Sequence, residues 1–352
     1  MLPTPQEVVE YFFIWKSLKT GNTTRNKLVY FPTQARDFCS SMIIDNSASS
    51  SNQKLLGFDI KSLTANRRSI NVLKGIFAVL PIALALPVNA LQVKVTPTNP
   101  KLGDTLSVEI NLDNPENATN PTVANGNNTY PAFKIAPNQY RALVPTTPLE
   151  KSGTRTLRVA GEGQVQNLAV NVLNRQFPVQ RITLPPGKAG VDATTYELKR
   201  VAAFKALQTP EKYWNGVFLK PNAGRMSTNY GVRRYYNGTF AKDYYHRGLD
   251  YAGAAGSAVI APAPGRVALV GRVSQGFRIH GNVVGIDHGQ GVTSIFMHLS
   301  RINVKEGDFV KAGQLIGAVG STGAATGPHL HWGLYVNGQS VDPTPWRTKV
   351  VN

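Results

Sequence analysis

The chain has 352 residues, room for two or three domains, and its 42% hydrophobic and 16% charged residues fit a chain that is mostly globular. Lys and Arg outnumber Asp and Glu by 38 to 20, which favours polyanionic partners such as nucleic acid, anionic lipid or acidic wall polymers. The basic residues are spread along the chain with no recognition helix or Arg-rich arm, which argues against nucleic acid. The single cysteine, Cys39, excludes an intramolecular disulfide and a cysteine-built zinc knuckle, so any metal site must use histidines and carboxylates.

In chain order, residues 1–66 form a polar prefix without pattern, read as unstructured. A three-part export signal follows at 67–90. Arg67, Arg68 and Lys74 supply its basic region, residues 75–88 its apolar core, and V-N-A at 88–90 its small-residue cleavage site. The apolar run is shorter than the roughly 20 residues that span a bilayer. Its place so far from Met1 has two readings: a start assigned too far upstream, or a cytoplasmic tail on an uncleaved anchor. In the anchored case alone would the protein touch a membrane. Cleavage after Ala90 would leave a mature chain without cysteine, suited to an exported protein.

Residues 91–175 read as strands. LQVKV (91–95), LSVEINL (106–112), TLRVAG (156–161) and LAVNVL (168–173) carry apolar residues at strand spacing between turns rich in Pro, Asn and Gly. An Ig-like β-sandwich is expected. A linker and connecting helix occupy 176–215. LPPG at 184–187 marks the linker, and apolar residues at 198, 201, 202, 204 and 207 give one helical face. From 216 to 350 short apolar runs and glycines predict a compact antiparallel β domain. The fold class is therefore mostly β.

All six histidines fall between 246 and 331. His329 and His331 share one face of a strand, with Leu330 on the other. His246 and Asp250, four apart across Gly248, can converge on one ion. A catalytic zinc takes three protein ligands and keeps one position for water, and imidazole with carboxylate suits it. His298, on a separate strand, adds a further imidazole, which leaves spare bases for proton transfer. His288, in a hairpin turn, is read as structural, and His280 as a surface residue.

YHRGLDYAG (245–253), MHLS (297–300) and GSTGAATGPHLHWGLYVNG (320–338) resemble, in order and spacing, the three signature blocks of the lysostaphin/LytM-type zinc endopeptidases. The resemblance covers about residues 220–345. It implies the duplicated-hybrid-motif peptidase fold, with Zn2+ held by His246, Asp250 and His331. It also implies active-site roles for His298 and His329, in orienting the nucleophile and binding the oxyanion. The implied activity is hydrolysis of peptide cross-links in peptidoglycan, with the D-alanyl to diaminopimelate bond expected and a pentaglycine bridge as the alternative. The implied place is the periplasm or cell envelope of a bacterium. A non-catalytic regulator of wall amidases is the second reading, because some relatives keep the fold and lose the ligands. Residues 229–233 align with the family's opening strand, where Arg233 is either in the groove or solvated. Tyr244 and Tyr245, beside His246, are read as packing residues, with a hydrogen bond to the oxyanion as the alternative. The sandwich or the helix is a candidate to cover the groove. Oligomeric state is not legible.

Overall fold

The computed structural model describes residues 17–20, 23–26, 91–113, 119–183 and 192–351. The export signal, Cys39 and the LPPG turn lie outside the described residues. In the prefix, Ser17–Thr20 and Thr23–Asn26 pair antiparallel. Among the described residues no helix is long and apolar enough to cross a membrane.

The β-rich stretch from 91 folds into two antiparallel sheets of four strands. One runs Gln92–Thr96, Thr105–Asn111, Gln139–Pro145, Phe133–Ala136; the other runs Gln164–Val172, Gly153–Gly161, Thr122–Asn125, Asn128–Pro131. Val108, Ile110, Val123, Val144, Leu157 and Val159 fill the space between them, as the alternation requires. Gln139–Pro145 departs from one-sided burial: six of its seven residues are buried. Its outer face packs on the next domain, where Leu143 joins the peptidase-side core and Arg141 reaches Gln290 and the face of Trp214. Further bonds run from Trp346 Nε1 to Thr105 Oγ1 (3.3 Å) and between Arg175 and Asp342 (2.7 Å).

The C-terminal domain is built on one large sheet. Its main path runs Arg225–Thr228, Leu249–Ala252, Leu330–Val336, Val292–Ile302, Asn282–Gly289, Gly265–Gly271, Phe309–Val310, every pair antiparallel. The central strands are buried on both faces, which explains their near-continuous apolar runs. Helix Thr195–Lys205 covers one side, with Val201 and Phe204 against Leu269, Phe277, Val283, Ile295, Met297 and Tyr335. Thr194 and Glu197 close its first turn as a capping box. Ahead of the helix, Val179–Ile182 pairs in parallel with Arg233–Tyr236, which pairs in turn with Thr239–Phe240. Part of the predicted linker is therefore a strand of the catalytic domain.

Candidate active site

Register brings the first two candidate residues together. Asp250 pairs with His331 on the neighbouring antiparallel strand, so their side chains share one face. His246 enters from the preceding loop, pinned by its N–H to Val232 O (2.9 Å) and by Gly231 N–H to its own carbonyl (2.8 Å). Gly248 lets that loop lie against the His331 strand. A Cβ there would stand 2.3 Å from Trp332 O and 2.8 Å from His331 Nε2.

The three donor atoms converge. His246 Nε2 lies 3.0 Å from Asp250 Oδ1 and 3.1 Å from His331 Nδ1, which is 2.9 Å from the same carboxylate oxygen. His246 Nδ1 donates to Asn229 O at 2.8 Å, so in the neutral ring Nε2 carries the lone pair. Two acceptors, His246 Nε2 and Asp250 Oδ1, thus face each other in a buried site. Their repulsion is offset either by a proton on His331 Nδ1 or by a cation, and only the cation uses all three lone pairs. Burial works against ionised Asp250, but His246 and His331 outweigh it and hold the carboxyl well below its usual range. Burial brings His331 down to about 4, so it is neutral near pH 7. One carboxylate and two imidazoles form a donor set that fits a borderline divalent cation.

His298 and His329 border this group. Their rings sit 4.8 Å apart, and His329 Nε2 is 4.0 Å from Asp250 Oδ1. His298 lies in a bulge of its strand, with φ +64°, a left-handed conformation uncommon for a residue with a side chain. The bulge turns its ring into the cleft while Nδ1 donates to Thr322 O at 2.9 Å. His329 Nδ1 donates to Gly327 O at 2.8 Å. With Nδ1 donating, each ring turns Nε2 toward the cleft. Burial, with His331 and His329 nearby, drives His298 down to about 3 and keeps it uncharged.

The loops behind His298 need glycine. At Gly323, with φ +75°, a Cβ would lie 2.4 Å from Gly281 N, and at Gly320 it would lie 2.4 Å from Ser300 N. Gly327 has open space around it, so it imposes no such contact.

The cleft holds about 620 Å³ and is lined by all five of these residues. Arg234, Arg247, Tyr236, Tyr244 and Tyr245 line it as well, with Gln180 and Ile182 from the strand ahead of the helix. No residue of 91–175 or 191–208 lines it, so the upstream elements suspected of covering the groove pack elsewhere among the described residues. Three further sequence readings change. Arg233 turns away from the cleft, donating to Lys242 O and stacking on Phe240, and its neighbour Arg234 lines the cleft instead. Tyr244 and Tyr245 pack and also form cleft wall. His280 is not on the surface: it is fully buried, with Nδ1 2.6 Å from Glu197 Oε1. Glu197 was missed: T-x-x-E at 194–197 is a capping-box pattern that could have marked the helix start, but not where the glutamate points. His288 is buried, bonded to Pro264 O and Ser294 Oγ, consistent with a structural role.

Residues 244–343 match the model of peptidase family M23. The DD-carboxypeptidase/endopeptidase Mpg of Neisseria meningitidis is 45% identical over 98 residues, which are 28% of this chain and 22% of that protein. The murein hydrolase activator NlpD of Salmonella dublin is 30% identical over 182 residues, 52% of this chain and 43% of that protein. The chain thus spans less than half the length of either curated relative. A solved structure, a putative peptidase M23 from Pseudomonas aeruginosa, overlays with a TM-score of 0.53 at 28% identity, covering 72% of this chain and 96% of that one. That coverage exceeds the catalytic domain, so the shared fold extends beyond it. With the family match, the ordered sequence blocks and the common fold in agreement, the C-terminal domain of this chain belongs to peptidase family M23.

Proposed function

We propose that the protein is an exported zinc endopeptidase that hydrolyses peptide cross-links of peptidoglycan, the D-alanyl to diaminopimelate bond first among them. The observation that carries this reading is the convergence of His246 Nε2, Asp250 Oδ1 and His331 Nδ1 to 2.9–3.1 Å. Around a tetrahedral ion, nitrogen and oxygen donors lie about 3.3 Å apart, so a small outward shift would seat one. These three residues would hold the ion; zinc supplies Lewis-acid polarisation of a carbonyl and makes a water acidic enough to attack near pH 7. His298 and His329 turn Nε2 toward the same space. One can accept the proton of the attacking water, and the protonated ring can return it to the leaving amine. A protonated Nε2 also donates to the oxyanion that develops on the attacked carbonyl. On this reading the protein works in the periplasm or cell envelope, where its peptidoglycan-acting relatives find their substrate.

The activator reading draws on the similarity to NlpD. It gives no reason for the donor atoms of His246, Asp250 and His331 to converge to 2.9–3.1 Å. The test is zinc analysis of the purified protein, with mass spectrometry of muropeptides released from peptidoglycan with and without a chelator. One zinc per chain and chelator-sensitive loss of cross-linked dimers are expected, and His331→Ala should lose both. Bound zinc without cleavage would favour the activator.

A further inference from the structure

The cleft contains one acid and two arginines. The acid, Asp250, is committed to His246 and His331. Arg234 is held rigidly in the wall. Its Nε donates to Gln180 Oε1 (3.1 Å), its Nη1 to Tyr244 Oη (2.7 Å) and Tyr236 Oη (3.3 Å), and its guanidinium lies 5.2 Å from the Tyr244 ring centre. The three partners are an amide oxygen and two phenol hydroxyls, none of them a carboxylate. Among the described residues no carboxylate pairs with Arg234.

This half-buried guanidinium is fixed by neutral hydrogen-bond partners and feels the Asp250 carboxylate only at a distance, without an ion pair, so it can take an arriving anion. Its planar fork matches a carboxylate, and rigid placement reduces the entropy lost on binding. Strand alternation puts Arg234 rather than Arg233 in this position. Gln180, on the parallel strand Val179–Ile182, fixes the orientation from outside the residues matched to the family.

We propose that Arg234 binds a free carboxylate of the peptide substrate near the scissile bond, with Gln180 as its positioning residue. This rests on the peptidase reading above and deepens it. The amine-side residue of a D-alanyl to diaminopimelate link carries such a carboxylate beside its acylated nitrogen, whereas a glycine bridge has none within its length. The site therefore selects an acidic cross-link over a neutral one.

The test uses two synthetic cross-linked peptides, identical except that the amine-side carboxyl is free in one and amidated in the other. Cleavage is measured as kcat/KM, and binding by calorimetry, for the wild-type full chain, Arg234→Gln, Arg234→Lys and Gln180→Ala. The wild type should prefer the acid by roughly 10- to 100-fold, the range of a charge-assisted hydrogen bond. Arg234→Gln should erase that preference while zinc content stays at one per chain. Arg234→Lys should keep part of it, and Gln180→Ala should weaken it less than Arg234→Gln. Equal affinity of the wild type for acid and amide would overturn the proposal, as would a preference that survives Arg234→Gln. If neither peptide is cut yet the acid still binds more tightly and only through Arg234, the peptidase reading fails and the carboxylate site stands.

Discussion

Replacing Glu197 by alanine should destabilise the catalytic domain more than its place on a helix suggests. The side chain is fully buried, and its carboxylate accepts from the backbone N–H of Arg278 (2.9 Å), Ile279 (3.0 Å) and His280 (2.8 Å) and from His280 Nδ1 (2.6 Å). Burial alone would raise its pKa; the His280 ring and the backbone donors outweigh that and hold it below the usual range. Alanine strands four buried donors at roughly 1–3 kcal/mol each, less whatever entering water recovers, so a net loss of about 3–5 kcal/mol is expected. At this size that corresponds to roughly 10 °C in Tm. The damage should spread to the site, because His280 O accepts the N–H of His298 (3.0 Å) and Ile279 O accepts that of Ala324 (2.9 Å), two residues past the carbonyl that orients the His298 ring. The assay is denaturant unfolding of the wild type and Glu197→Ala, with amide exchange followed at residues 278–281 and at His298. Glu197→Gln should lie between them, since it keeps an acceptor but turns an NH2 toward N–H groups. A loss below 1 kcal/mol with unchanged protection at His298 would refute the reasoning.

Stability should fall on acidification below the ordinary histidine range. Burial depresses His288 to about 4, so the unfolded chain binds that proton first: stability is full above about pH 6.5 and is lost as pH falls toward 4. The contribution is up to about 3 kcal/mol, and equilibrium unfolding of His288→Gln should show a correspondingly shallower decline between those limits. A variant as steep as the wild type would assign the acid sensitivity to other groups. Gly248→Ala drives a Cβ into Trp332 O and the His331 ring, so it should cost about 1–3 kcal/mol and lower zinc affinity at least about tenfold. Competition with a chromophoric chelator measures the affinity, and an unchanged value would show that the loop yields rather than the ring.

The segments that carry His246, Asp250, His298, His329 and His331 were legible because their pattern is local. An H-x-H on a strand, and a His and Asp four apart across Gly248, can be read without the rest of the fold. Alternation likewise marked four strands of the sandwich, Gln92–Thr96, Thr105–Asn111, Gly153–Gly161 and Gln164–Val172. What escaped depended on contacts between distant parts of the chain. Gln139–Pro145 is buried on both faces because its outer side meets the second domain, and one-sided alternation cannot report that. His280 had no motif partner within reach; its partner is Glu197, 83 residues upstream. Arg233 was read as in the groove or solvated, and Arg234 was not considered; which of the two enters the cleft is a matter of one residue in strand register, fixed by pairing with Val179–Ile182.

These misses share a direction: each lies upstream of the matched motif or answers to something upstream. The family match starts at residue 244, yet Asn229 orients His246, Arg234 forms the cleft wall, Gln180 fixes Arg234 and Glu197 anchors the loop behind His298. Helix Thr195–Lys205 also buries Val201 and Phe204, and Phe204 sits so close to Gly285 that a Cβ there would lie 2.6 Å from its ring. Each of those apolar side chains is worth about 1.5–3 kcal/mol when fully buried. A fragment beginning at 210 keeps every proposed zinc ligand and both further histidines, and on motif grounds should be active. On physical grounds it loses the helix, exposes Leu269 and Phe277, and leaves His280 without its acceptor. A fragment beginning at 176 keeps all of these. The longer fragment should therefore unfold cooperatively and hold zinc, while the shorter one should show exposed apolar surface by dye binding. Equal stability of the two would mean that the helix packs on a domain already complete without it.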